Sequence, residues 1–456
     1  MGMNDFSALT TSGSVLLPAD EHYAAETSGF QTFRGRRPDV VVAATGAEDV
    51  RAAVEFAAGR GLAVAVQSQG HGVPSEVAGG VLITTGRMDG VRIDADRRTA
   101  WFEAGVQWGA VVQAAAELGL APLSGSAPHV GAVSYTLGGG LGHLARRYGY
   151  AADHVRAVEV VTADGQLRRV TAESDPELFW ALCGAGGNFG VVTAMEVDLV
   201  PVAQLFGGAL YFDAHQVEDV LATWQRWTRD LPDEMTSSVA LVSFPDLPAL
   251  PEPLRGRHVA HVRIAHAGDP EVGERLVEPL RAVGPRLIDS LRVLPYREVG
   301  TICNDPVQPI PYVTTNAMLR DFDDAAIKTV LDLVGPDAPQ RCVVEVRHLG
   351  GALSRPAANC VGNRDAAHVL GLNSKVDEST VGAAERLQGH VMGELNAWST
   401  GGRCLNFLAG GSANPEDVRA AYDAPDYERL RALKSTYDPT NTFRLNHNIP
   451  PVGDYS

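Results

Sequence analysis

The stretch Val64–Glu76, VAVQSQGHGVPSE, places one histidine between two glycines just beyond an apolar run. LAVAVQS, Leu62–Ser68, reads as a strand, and it runs straight into Gln69-Gly70-His71-Gly72. Glycines on both sides of one imidazole leave the backbone bare, so that a flat or charged group can approach the main chain at His71. Taken alone, the pattern also fits a tight turn with a surface histidine, and the surrounding sequence has to decide.

Upstream, DVVVAAT is a strand, and AEDVRAAVEFAAGRG is a helix with Val50, Val54 and Ala57 on one face and Gly61 just past its end. Downstream come GGVLITT, GVRIDADRRTAWFEAG, the helix WGAVVQAAAELG and the hairpin VRAVEVVTADGQLRRVT, which turns at Asp164-Gly165. From about Val202 the texture changes to proline-rich breaks and longer alternating strands such as HVAHVRIAHAG and QRCVVEVRHLGGA. That is the pattern of a second α+β unit with an antiparallel sheet. A last helix ends at Tyr437-Asp438-Pro439 and is followed by an extended, asparagine-rich tail.

At 456 residues the chain is too long for one core, which predicts two domains. A net charge of −17 argues against nonspecific nucleic-acid binding, which needs a basic face. No long apolar window predicts a membrane span, and MGMNDFSALTTSGSVLLP has neither the basic start of a secretory leader nor a convincing myristoylation pattern. A cytoplasmic protein is expected. Cys183, Cys303, Cys342, Cys360 and Cys404 are scattered and odd in number, so neither a disulfide framework nor a metal site is expected.

Two further glycine-rich stretches accompany the first. Pro122–Gly149, PLSGSAPHVGAVSYTLGGGLGHLARRYG, offers many backbone amides of the kind that cradle a pyrophosphate. Gly184–Val192, GAGGNFGVV, is spaced G-x-G-x-x-x-G and follows a helix, so it fails the Rossmann fingerprint on both spacing and context.

The ordered set QSQGHG, GSAPHVGAVSYTLGGGLGHLARRYG, GAGGNFGVVTAMEV and YDPTNTFRLNHNI resembles the berberine-bridge-enzyme-like branch of the vanillyl-alcohol-oxidase flavoprotein superfamily. Bacterial members of that branch oxidise sugars, antibiotics and hydroxynicotine, and the last group is the most similar in its histidine-only linkage pattern and its C-terminal segment. The resemblance implies an α+β, two-domain PCMH-type FAD-binding fold with an antiparallel-sheet substrate domain covered by helices. It places the FAD domain at 1–201, the substrate domain at 202–410 and a returning segment at 411–456.

In the family pattern R-x-G-G-H the histidine is bonded to the 8α-methyl of FAD. His71 holds that place, with Gln67 for the arginine and Gln69 for the first glycine. A second link, through cysteine in G-x-C-P-x-V-G, is excluded by Ala127 in Gly125-Ser126-Ala127-Pro128-His129-Val130-Gly131. Ser134 stands where glycine is common. The implied cofactor contacts are Gln67, Ser68, Gln69, Gly70, His71, Gly72, Ser126, Ala127, Val130, Gly131, Ser134, Gly138, Gly139, Gly142, Gly190, Val191, Val192, Asn446 and Asn448. The two asparagines equally suit backbone capping of the tail.

Alcohol-oxidising relatives carry a tyrosine base in Y-x-N-Y on the last long strand of the substrate domain. Here the segment is Cys404-Leu405-Asn406-Phe407, and Phe407 can pack a substrate but cannot take its proton. On VVEVRHLGGA, alternation puts Glu345 and Arg347 on one face and Val344, Val346 and His348 on the other, without saying which face meets the flavin. Glu345, Arg347, His348 and Phe407 are the catalytic candidates, followed by His129 and Tyr312. Asn363-Arg364-Asp365 reads as structural.

The function expected is an FAD-dependent oxidase of secondary metabolism. It would take hydride from a small amine, acidic hydroxyl or natural product and reduce O2 to H2O2, working as a monomer or homodimer. Two readings stay open beside it: a flavin dehydrogenase with another acceptor, and a non-redox cyclase or ligand-binding protein that retains FAD.

Overall fold

The structure, a computed structural model, describes residues 6–33, 35–72 and 77–453. Val73–Glu76 of the opening stretch and the Met1–Gly2 start lie outside the described residues. The strand Val40–Ala43, the helix Ala47–Ala58 and the strand Val64–Gln67 form a parallel crossover, with Val81–Thr84 paired between the two strands. Val40, Val42, Val50, Val54 and Ala57 are buried in the core that this crossover makes, as their helix-period and continuous-apolar patterns require. Ser14–Leu16 adds an antiparallel edge.

A second sheet is antiparallel, in the order Leu167–Val170, Val155–Val161, Val191–Asp198, Thr99–Glu103, Val91–Asp94. The C-terminal helix Ala424–Tyr437 docks beside the helix Pro176–Leu182, where the Tyr437 hydroxyl donates to Asp175 at 2.9 Å. Lys434, fully buried, donates to Asp438 and to the Asn188 carbonyl, each at 2.7 Å. This pairing holds the tail against the glycine loop at 184–190.

The third sheet is eight-stranded and antiparallel, centred on Gln204–Asp213, His258–His266, Met235–Ser243, Val343–His348, His368–Lys375 and Tyr312–Leu319. The helices Val217–Thr228, Asp324–Val334 and Val381–Glu394 cover one face, on which Val239, Val262, Val344, Val346 and Leu370 form the core. The opposite face carries the polar residues and looks toward the glycine loops. No helix among the described residues is long and apolar enough to cross a membrane.

One placement is corrected. Cys404–Phe407 is not part of a strand: Leu405–Phe407 is a 3-10 turn. Asn406 accounts for it, because its side chain donates to the Tyr135 carbonyl at 2.9 Å and accepts from the Gly140 amide at 2.8 Å, which ties the segment to the glycine loop.

Candidate active site

The loop after Val64–Gln67 is held from outside. Phe30 and Gln31 donate their amides to the carbonyls of Gln69 and Gly70, each at 3.0 Å. The buried Gln67 donates from Nε2 to Ser28 O at 2.6 Å, and Gln69 donates to Gly105 O at 3.1 Å. These two glutamines therefore anchor the loop. Gly70 has φ +69°, and a Cβ there would meet Gly29 Cα at 2.8 Å, so the turn requires glycine. Among the described residues the amides of Ser68, Gln69, Gly70 and His71 donate to no protein acceptor.

His71 stacks on Phe30, with centroids 4.2 Å and planes 13° apart, and lies 4.9 Å from the His129 ring. Tyr312 donates its hydroxyl to the His71 carbonyl at 2.5 Å, so it braces the loop. Both ring nitrogens of His71 are buried without a partner. Burial, and then the neighbouring His129, push its pKa down to about 4, so the imidazole is neutral near pH 7.

The second glycine loop comes against the first at Gly131, where a Cβ would stand 2.8 Å from Ser68 Oγ and 2.9 Å from Ser134 Oγ. Ser68 Oγ is another buried atom without a partner. Ala127 is buried beside this junction, and Val130 donates its amide to Ala127 O at 3.2 Å. Ser126 donates to Asp305 at 2.5 Å. Gly138 and Gly139 are corrected as cradle donors. Their amides go to Tyr135 O (3.3 Å) and Thr136 O (3.0 Å), and their missing side chains make room for Asn406 and Val361. Gly142 borders the cavity described below, packed on the Ser124 carbonyl.

In the third loop, a Cβ on Gly190 would strike Val160 and the Val161 carbonyl. The side chains of Val191 and Val192 enter the cores on either side of the sheet, so these three residues shape the loop by packing. The tail is tied down where Asn188 donates to His447 O at 2.8 Å and accepts from the Ile449 amide at 2.9 Å. Asn446 does cap backbone, donating to Gly187 O and Phe443 O at 3.0 Å each, yet its Oδ1 and that of Asn448 are buried without donors. Unpaired buried polar atoms are costly. Gln67 Oε1, Ser68 Oγ, both His71 nitrogens and the Oδ1 atoms of Asn446 and Asn448 are such atoms on the loops that converge at His71 and on the tail, and others lie in the eight-stranded-sheet unit, at His258, His261, His266 and His368 among them. The open amides, the unpaired serine hydroxyl and the nucleophilic imidazole fit a flavin dinucleotide.

Across from these loops the eight-stranded sheet presents ionised groups. Ser238 is the cross-strand partner of both Arg263 and Arg347. Glu345 joins the two arginines: Oε1 accepts from Arg263, and Oε2 accepts from Arg347 Nη2 at 2.8 Å. Burial would raise the Glu345 pKa, but the two guanidiniums outweigh it and hold the carboxyl below its ordinary range. Glu345 is thus an ionised anchor for the arginines and a poor base. The Arg347 guanidinium carbon lies 4.9 Å over the Phe407 ring. Ser238, Arg263 and Arg347 border a cavity that Ser126, Gly142, His143, Cys303 and His348 also line.

His348, one of the catalytic candidates, is a poor base. It leaves the strand toward Arg146, 3.0 Å from its Nε2, and burial together with that arginine drives its pKa to about 2. Arg364 is structural, ion-paired to Asp153 at 2.6 Å. Arg263 was not singled out from the sequence; alternation in HVAHVRIAHAG, which sets His261 and Arg263 on one face, and an arginine within an apolar strand are the signals that could have found it. His143, with its pKa pushed to about 4 by burial and then Arg347, had no local signal.

Residues 38–171 match the family model for an FAD binding domain, and residues 412–450 match the model for berberine and berberine-like proteins. The chain is 29% identical to (R)-6-hydroxynicotine oxidase of Paenarthrobacter nicotinovorans over 98% of each chain. It is 27% identical to an uncharacterised FAD-linked oxidoreductase of Bacillus subtilis, over 96% of this chain and 97% of that one. Among solved structures, 6-hydroxy-D-nicotine oxidase from Arthrobacter nicotinovorans superimposes with a TM-score of 0.82 at 25% identity, covering 97% of this chain and 99% of that one.

Proposed function

The chain belongs to the berberine-bridge-like family of FAD-linked oxidoreductases, and from that premise we propose that it is an oxidase carrying its FAD covalently on His71 alone and passing electrons to O2. The observation that carries the reading is the imidazole of His71: neutral, aligned by Phe30, with both ring nitrogens unpaired where the glycine loops meet. Ala127 offers no sulfur for a second bond. The name of the hydroxynicotine oxidase supports O2 as acceptor and a small molecule as donor.

Bound FAD supplies the two-electron acceptor, and the protein supplies position and electrostatics. Ser68, Gly131 and Ser134 make the junction that would hold the dinucleotide. Glu345 fixes Arg263 and Arg347 over the cavity. Among the described residues no group at that cavity is suited to take a proton at neutral pH: burial pushes His143 down to about 4, burial and Arg146 push His348 down to about 2, Cys303 is pushed up to about 12 by burial, and Glu345 beside it is held ionised by its arginines. An alcohol must lose its hydroxyl proton as hydride leaves, whereas a free-base amine needs no such base. The substrate is therefore an amine, or a molecule already acidic.

Anaerobic mixing with a panel of secondary amines and acidic phenols tests the reading. At least one should bleach the flavin, and air should restore the colour with stoichiometric peroxide. Bleaching that O2 does not reverse would make the protein a dehydrogenase, and bleaching only by sugars would overturn the substrate class.

A further inference from the structure

The polar face of the eight-stranded sheet holds two arginines in contact with one carboxylate. Glu345 takes one nitrogen of Arg263 and one of Arg347, and receives the Ser238 hydroxyl at 3.3 Å. Glu345 accepts one N–H of Arg347 Nη2; the second N–H of Nη2 and those of Nε and Nη1 meet no protein acceptor among the described residues, which leaves open an edge that pairs Nη2 with a neighbouring nitrogen, although the side chain is only 20% accessible. Arg263, 10% accessible, adds a long 3.4 Å contact from Nε to His261 Nδ1. The other titratable groups facing this space do not complete the pair. Asp305 is engaged by Ser126 at 2.5 Å and forms no ion pair with either arginine, His143 is neutral near pH 7, and the Cys303 thiol stays protonated. The cavity therefore presents guanidinium N–H groups that have lost much of their water and gained no acceptor, an arrangement costly to keep without a ligand.

We infer that the cavity selects substrates bearing a carboxylate, which the free edge of Arg347 grips while Glu345 and the Phe407 ring hold the guanidinium in place. A planar guanidinium with two donors on one edge matches a carboxylate in bidentate fashion, and a neutral amide or sugar hydroxyl cannot neutralise it. Resting on the oxidase reading above, this names the substrate class: a small amine that also carries a carboxylate, anionic in the free-base form from which hydride leaves. Glu345 is a positioning residue in this scheme. Its two oxygens are both occupied, so it sets the aim of the arginines and touches no substrate.

Calorimetric titration of the flavin-loaded protein at low salt tests the inference without turnover. The probes are acetate, benzoate and 3-phenylpropionate, each against its own neutral amide. At least one carboxylate is expected to bind tenfold or more tightly than its amide. In Arg347→Gln that preference should vanish in a protein that still folds and carries its flavin, and Arg347→Lys should recover only part of it. No preference in the wild-type protein, or a preference that survives Arg347→Gln, would overturn the inference. A protein that bleaches with neutral amines yet prefers no carboxylate would sink this inference alone. A protein without flavin colour would sink the oxidase reading first.

Discussion

Gly131 closes on Ser68 so tightly that a β-carbon there would stand 2.8 Å from the serine Oγ and 3.2 Å from its Cβ. The backbone at Gly131 is ordinary, φ −64° and ψ 126°, so glycine is required there by space and not by conformation. Gly131→Ala should fold, losing about 1 kcal/mol or less, but be isolated with a clearly lower flavin content, because the added methyl crowds the junction that FAD must enter before it is bonded to His71. Gly70→Ala should behave differently. Its φ of +69° and the 2.8 Å approach to Gly29 Cα make it a lesion of the fold, expected to cost about 1–3 kcal/mol. Flavin content and thermal midpoints of the two variants separate the two effects.

The pH dependence follows from buried neutral imidazoles. His143 and His368 have their pKa values pushed down to about 4, in each case chiefly by burial. The unfolded chain binds a proton at each near pH 6.5 and the folded chain does not, so stability is full above that value and falls as the pH drops toward 4. Between pH 7 and pH 5 each should cost on the order of 1–2 kcal/mol, read as an acid-side fall in the urea midpoint. Among the described residues, no group lining the cavity changes charge within the window from about pH 6.5 to 9, since His143 and His348 are pushed well below it and Cys303 well above it by burial. There kcat/KM should rise with pH along the substrate amine's own titration, and a profile set by an enzyme group would contradict the absence of a base.

The cofactor end of the site was legible because its grammar is local. A strand running into Gly70-His71-Gly72, and Ala127 in a cysteine's place, are read within a few residues of chain. The substrate end was not, because it is assembled across strands. Glu345 meets Arg263 from 82 positions away, and only the register of Ser238 against both arginines, with helices covering Val344 and Val346, tells which face of 343–348 looks into the cavity. The same distance effect hid what packs on Gly138, which the resemblance gives as a cofactor contact: Asn406, which binds the adjacent Gly140 amide from 266 positions away, lies against it. His348 misled for a related reason, since alternation places a side chain on a face but does not show Arg146 waiting there.

The central claim is that His71 alone holds the flavin. Intact-protein mass spectrometry after acid denaturation, on the wild-type protein and on His71→Ala, tests it most directly. The account predicts one added FAD on the wild-type chain and none on His71→Ala, whose flavin should pass into the supernatant. A wild-type chain that releases its flavin on denaturation, or a His71→Ala chain that still carries the added mass, would contradict it.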